Sequence, residues 1–111
     1  MKHYVIERTT DGVQVDVIDG TSPTGGYALP PRPELAKHLV SNFDFGRAAP
    51  GSAMLALALI ADAIDDETAL KHYQAFKARV IAPQECDAFE LSQEDIKQIV
   101  AGLERQKGWA R

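Results

Sequence analysis

The chain has 111 residues, a hydrophobic fraction of 45%, a charged fraction of 25% and a formal net charge of −4. That length fits one domain with enough core to fold without covalent staples, and a single cysteine excludes an internal disulfide. The acidic balance weighs against phosphate-backbone binding as the main task, because such binders carry a basic footprint.

The first elements read as a β-hairpin. Tyr4, Val5 and Ile6 make one strand, and Val13, Val15 and Val17 alternate with Gln14 and Asp16 in the period of a half-buried second strand. Asp11-Gly12 between them is a turn signal, since both residues tolerate positive φ. Residues 19–26 are loop chemistry, and Tyr27-Ala28-Leu29 reads as a short strand. Pro30, Pro31 and Pro33 then stop regular pairing, because proline has no N–H for a ladder. A short helix is expected over Glu34–Val40, and the alternation in Phe43-Asp44-Phe45 predicts another strand, ended by Gly46.

The central helix starts near Pro50 or Ser52, with Ser52 as a capping residue, and runs to about Ile64. Ala53 to Ala61 is nearly unbroken in apolar character, so the helix has no polar face. It is too short for a membrane span and belongs inside a fold or a subunit interface. Asp65 or Asp66 caps a second helix from about Glu67 to Ile81, whose apolar stripe is Leu70, Tyr73, Phe76, the stem of Lys77, Val80 and Ile81; Pro83 ends it. Phe89-Glu90-Leu91 reads as a strand. Ser92-Gln93-Glu94-Asp95 resembles a capping box that opens a last helix with the stripe Ile96, Ile99, Val100 and Leu103, and Gly108 is the expected C-cap or fraying point. The sum is an α+β domain over residues 1–111: a small antiparallel sheet begun by the hairpin, with three helices packed over it. A central helix that one sheet cannot cover on all sides would point to a homodimer.

Several of these segments form a pattern in order: Phe43-x-Phe45-Gly46, then Leu55-Ala56-Leu57-Ala58-Leu59-Ile60-Ala61-Asp62, then Tyr73-x-x-Phe76-Lys77-x-x-Val80-Ile81-Ala82, and finally Phe89-x-Leu91 with Ile96. The pattern resembles a family of small bacterial, phage- or plasmid-borne proteins of unknown function, over about two thirds of the chain. Ser22-Pro23-Thr24-Gly25 echoes a Ser-Pro-x-Gly segment of that family, placed earlier here. The resemblance implies a mobile-element setting and no activity. Such proteins have a glycine-rich loop before the helix, where this chain has Arg47-Ala48-Ala49-Pro50-Gly51-Ser52. An anion site there would keep fewer flexible positions.

No motif identifies a reaction, a metal or a cofactor. Arg47, Gly51 and Ser52 are the residues of a candidate anion site, because a helix start presents free N–H groups and partial positive charge; the competing reading is an ordinary helix start. Lys71, His72 and Arg79 could form a basic ridge, against a solvated helix face. His3, His38 and His72 have no partner at metal-ligand spacing. Cys86 sits between Glu85 and Asp87, whose charges disfavour a thiolate. Asp62, Asp65, Asp66 and Glu67 read as caps rather than acid–base or metal groups, with Asp62 the exception because it closes a buried run. Trp109 and Arg111 either latch the tail to the core or anchor a partner.

The function expected from these readings is non-catalytic protein binding by a small accessory protein, with antagonism of a host defence system as one concrete form. The alternative is a nucleotide- or nucleic-acid-binding accessory protein acting through Arg47–Ser52 and the Lys71/Arg79 ridge. No cofactor is expected. Met1–Arg8 has no apolar signal-peptide core, which leads us to expect a cytoplasmic protein with no membrane partner.

Overall fold

A computed structural model describes residues 2–20, 26–36, 42–47 and 49–109. Its elements are β1 (Lys2–Thr9), β2 (Gly12–Asp19), β3 (Gly26–Ala28), α1 (Pro50–Ala63), α2 (Asp66–Phe76), a π-helical turn (Lys77–Ile81), β4 (Ala88–Ser92) and α3 (Gln93–Trp109). The four strands form one sheet in the order β3-β2-β1-β4, with every neighbouring pair antiparallel. This is the expected α+β arrangement, opened by the expected hairpin. Thr10 and Asp11 make the hairpin turn. Thr9 Oγ1 donates to the Gly12 carbonyl (2.7 Å) and accepts from the Asp11 N–H (3.2 Å). Of the Asp11-Gly12 pair, Gly12 takes a positive φ, at 117°, and Asp11 does not.

Strand alternation decides which side of the sheet is covered. Tyr4, Ile6, Val15 and Val17 point to the helices and are at most 2% exposed, while His3, Glu7, Gln14, Asp16 and Ile18 point the other way and are exposed. One core cluster joins that inner face to α1, α2, the π turn and α3. In α1, Leu55 and Leu59 share one side of the helix and Leu57 points to the opposite side, yet all three are 0% exposed. The helix is therefore enclosed all round, and each such leucine contributes about 2 kcal/mol of burial. A single chain supplies this cover, so the ground for expecting a homodimer is removed. α3 opens with the expected reciprocal capping box: the Ser92 N–H donates to Asp95 Oδ2 (3.0 Å) and the Asp95 N–H donates to Ser92 Oγ (2.9 Å). Asp65 caps α2 through the Thr68 N–H (2.7 Å).

Five expectations need correction. Phe43-Asp44-Phe45 is not a strand: Asp44 Oδ1 accepts the Phe45 N–H (2.8 Å), so a side chain takes the bond a sheet would need. Pro33–Leu35 form a turn closed by Leu35 N–H to Arg32 O (3.1 Å), and the rest of the expected helix, residues 37–40, lies outside the described residues. Ser52 lies within α1 rather than capping it; Ala49 is the N-cap, with Pro50 at the first helical position. Leu70 is 46% exposed, and Ala69 and His72 are buried beside Tyr73 and Phe76 instead. Gly108 does not end α3, which continues to Trp109.

The π turn has a local cause. Pro83 has no N–H, and its ring clashes with a carbonyl four residues back in a regular helix. The chain widens before it: the Ala82 N–H reaches Lys77 O (2.9 Å), five residues back. The last carbonyls, left open because the helix ends here, find other donors. Ile81 O accepts from the Gly46 N–H (3.0 Å), and Val80 O from Gln84 Nε2 (2.9 Å).

Candidate functional site

A carboxylate of the chain, Asp44, packs beside the start of α1 and is held by two arginines. Asp44 is only 7% exposed and lies against the first turn. Its Oδ2 accepts from Arg47 Nε (2.7 Å), and Arg8 Nη1 lies 3.5 Å from Oδ1. Burial raises the Asp44 pKa, but the bonds from Arg47 and Phe45 and the charges of Arg47 and Arg8 outweigh it, so the net shift is below the usual carboxylate range. Arg8 also donates to Phe45 O (3.1 Å) and stacks 4.4 Å above the Phe45 ring, which in turn meets Phe89 edge-on at 5.1 Å. Ser52 Oγ donates to Arg47 O (2.6 Å). Gly51 permits the close approach, since a Cβ there would fall 2.9 Å from Asp44 Cβ and 3.1 Å from its backbone nitrogen. Arg47, Gly51 and Ser52 are thus brought together, with the Arg47 side chain bonded to Asp44 and the Ser52 hydroxyl bonded to Arg47 O.

Lys71, His72 and Arg79 are not presented together. Lys71 is exposed and pairs with Glu67 (3.2 Å) one helical turn back. His72 is buried towards α3, with Nε2 3.7 Å from Glu104 Oε1. Arg79 is exposed in the π turn. The Trp109 side chain and Arg111 lie outside what the structure describes, as do His38 and Ser22–Gly25. Cys86 is exposed and contacts Gln84 Oε1 (3.6 Å), not a histidine. Among the described residues no group of three or more His, Cys, Asp or Glu could hold a metal ion.

Asp62 has a larger part than a cap. It accepts from Lys2 Nζ (2.9 Å) and from the Tyr27 hydroxyl at both oxygens (2.8 and 2.6 Å). Together with Gln93, which takes Lys2 N–H at 3.4 Å and donates to Ala63 O at 2.9 Å, it straps β1 and β3 to the end of α1 and the start of α3. The bond to Asp62 holds the Lys2 pKa above its usual value. Burial pushes Tyr27 up, aided by Asp62. A cleft of about 240 Å³ opens beside this cluster, lined by Tyr27, Pro30, Arg32, Ala58 and Asp62 among others. Nearby, the Tyr4 hydroxyl is buried with no hydrogen-bond partner among the described residues. The cluster is saturated by its own members and reads as a strap.

The outer face of the sheet is different, because no described element covers it. Its middle row runs Ala28, Asp16, Val5, Glu90 across all four strands, in register. Glu7 lies two residues from Val5 on β1, in the row that holds Gln14 and Ala88. The third row brings Ile18, 47% exposed, beside His3. The face carries no Lys or Arg, and none of Glu7, Asp16 and Glu90 is in an ion pair with a described residue. Three carboxylates therefore surround one half-buried valine. The sequence holds the signal for this face in the alternation His3-Tyr4-Val5-Ile6-Glu7, but only the strand order brings Glu90 and Asp16 to either side of Val5.

Comparison with known proteins bears on identity and not on mechanism. No significant match exists among curated proteins or among solved structures. A family model described as a family of unknown function, DUF6166, matches residues 4–102, which includes all of the sheet but the first two residues of β1 and nearly all of the helical core, so the chain belongs to that family.

Proposed function

We propose that this chain is a non-catalytic accessory protein that works by binding another protein on the uncovered face of its sheet. The observation that carries the reading is the one-sided packing. Helices bury Tyr4, Ile6, Val15 and Val17, while the opposite face leaves Val5 and Ile18 among carboxylates that have no ion pair with a described residue. The Asp44 and Asp62 clusters are bonded within the chain, whereas this face offers exposed apolar and acidic side chains to a partner.

The resemblance to phage- and plasmid-borne proteins supports a finer version: an accessory protein of a mobile element whose partner belongs to a host defence system. That version predicts that expressing the chain restores plaque formation in cells that carry the targeted system. Unchanged plaque counts across defence systems would remove it.

The binding reading is tested with a photo-crosslinking residue at Ile18, and a control at Lys71 on the helical side. Both are introduced into the full chain in nuclease-treated lysate. The expected result is one stoichiometric protein adduct from position 18 and none from position 71. Adducts from position 71 alone, from neither position, or only in lysate that keeps its nucleic acid would overturn it.

A further inference from the structure

We infer that the surface docked on this face is cationic: a protein segment with lysine or arginine on both sides of an apolar side chain that seats on Val5. The inference rests on the protein-binding reading above and adds the chemistry of the partner. Asp16 and Glu90 lie directly opposite Val5 on the two neighbouring strands. Strand spacing places them about 5 Å to either side of it, and Glu7 about 7 Å along β1. The Cα positions of Asp16 and Glu90 are therefore about 10 Å apart across the row, which suits separate cationic side chains, and among the described residues no group of three or more His, Cys, Asp or Glu could hold a metal ion. Ala28 and Ala88 flank them, so the ground around the carboxylates is low. Long Lys or Arg stems lie flat on such ground with their charges at the rim.

Charge also excludes the other occupants. A nucleic acid would bring phosphates against these carboxylates. A second copy in an isologous contact would bring the same three carboxylates against themselves. Edge pairing between two β4 strands would carry Glu90 into the contact on both sides, which is the way edge strands are kept from pairing.

The test is a ¹⁵N NMR titration of the full chain with two synthetic peptides, one alternating Lys and Val and one alternating Glu and Val. The expected result is shifts centred on the amides of Val5, Asp16, Ile18 and Glu90 with the lysine peptide only. Binding should be about tenfold weaker in the E7Q/D16N/E90Q variant, since three exposed charge pairs are removed. Shifts spread over the helical side, equal shifts with the glutamate peptide, or unchanged affinity in the variant would overturn the inference. The crosslinking experiment separates the two levels. An adduct from Ile18 that survives high salt and the triple substitution keeps the protein-binding reading and sinks the cationic partner. No adduct sinks the reading itself.

Discussion

Asp44 shows how one buried carboxylate can take up an arginine that, in the sequence, reads as a partner for a ligand. The helix start, Arg47 and Ser52 are the ingredients of an anion site, and the sequence contains them in the right order. What it conceals is that the carboxylate three residues before Arg47 turns inward and accepts both the Phe45 N–H and Arg47 Nε. Its pKa is held down in the folded state, so the stability it adds is fully present above the ordinary value of about 4. That stability is lost as pH falls through the lower folded value. Asp44→Asn should therefore cost about 2 kcal/mol at neutral pH, and the gap to the wild type should close in acid. Urea midpoints measured from neutral pH down to the acid transition check this; a constant gap would show that the carboxylate charge is not what matters. Tyr4 gives the opposite case. Burial pushes its pKa up, followed by the charges of Asp62, Tyr27 and Asp19, and its hydroxyl has no partner among the described residues. Tyr4→Phe should leave stability unchanged or raise it by up to about 1 kcal/mol. A loss larger than that would mean the hydroxyl is bonded.

Among the elements, those whose signal is local were legible. α1 was clear because eleven consecutive positions, Gly51–Ala61, are all buried and the sequence there is apolar or small throughout. The α3 capping box and the Ile96, Val100, Leu103 stripe were clear because each depends only on residues close together in sequence. Failures came where a partner distant in sequence decides. The Phe43–Phe45 alternation looks like a strand, but both phenylalanines and Asp44 are buried together against the start of α1. In α2 the stripe was placed one position off at Leu70, because α3 draws His72 inward and leaves Leu70 outside. Leu70→Ala should then change stability by less than about 0.5 kcal/mol, as surface substitutions do. Phe76→Ala, one face over at 0% exposure, should cost about 3–5 kcal/mol. Denaturant unfolding of the two variants separates them; a costly Leu70→Ala would restore the original stripe. Gly51→Ala tests the junction between α1 and its preceding loop. Alanine favours the helix by about 1 kcal/mol. The added Cβ must still displace the Asp44 and Phe43 backbone, so a net loss of about 1–3 kcal/mol is expected. A thermal melt at or above the wild-type midpoint would show that the loop yields freely.

At the scale of the whole molecule, a two-layer fold has one sheet face to bury and one to spend. β1 is central, pairing with β2 through a two-residue turn and with β4 from the far end of the chain. Only that long-range pairing completes the outer row in which Asp16 and Glu90 flank Val5. The face could not be read from the sequence for this reason, although each of its residues could. The same arrangement bears on association. If two copies met through this face, six carboxylates, three from each, would share one contact, and like charges in contact oppose association. The wild type should therefore not dimerise through this face at neutral pH and low salt. The E7Q/D16N/E90Q variant loses the repulsion while it keeps Val5 and Ile18 exposed, and it should self-associate more readily. Sedimentation velocity on both proteins at high micromolar concentration, with amide exchange at Val5 and Ile18, decides the matter. A wild-type dimer protected at those amides in low salt would mean that charge does not guard the face, and a second copy would then replace the cationic partner as its occupant.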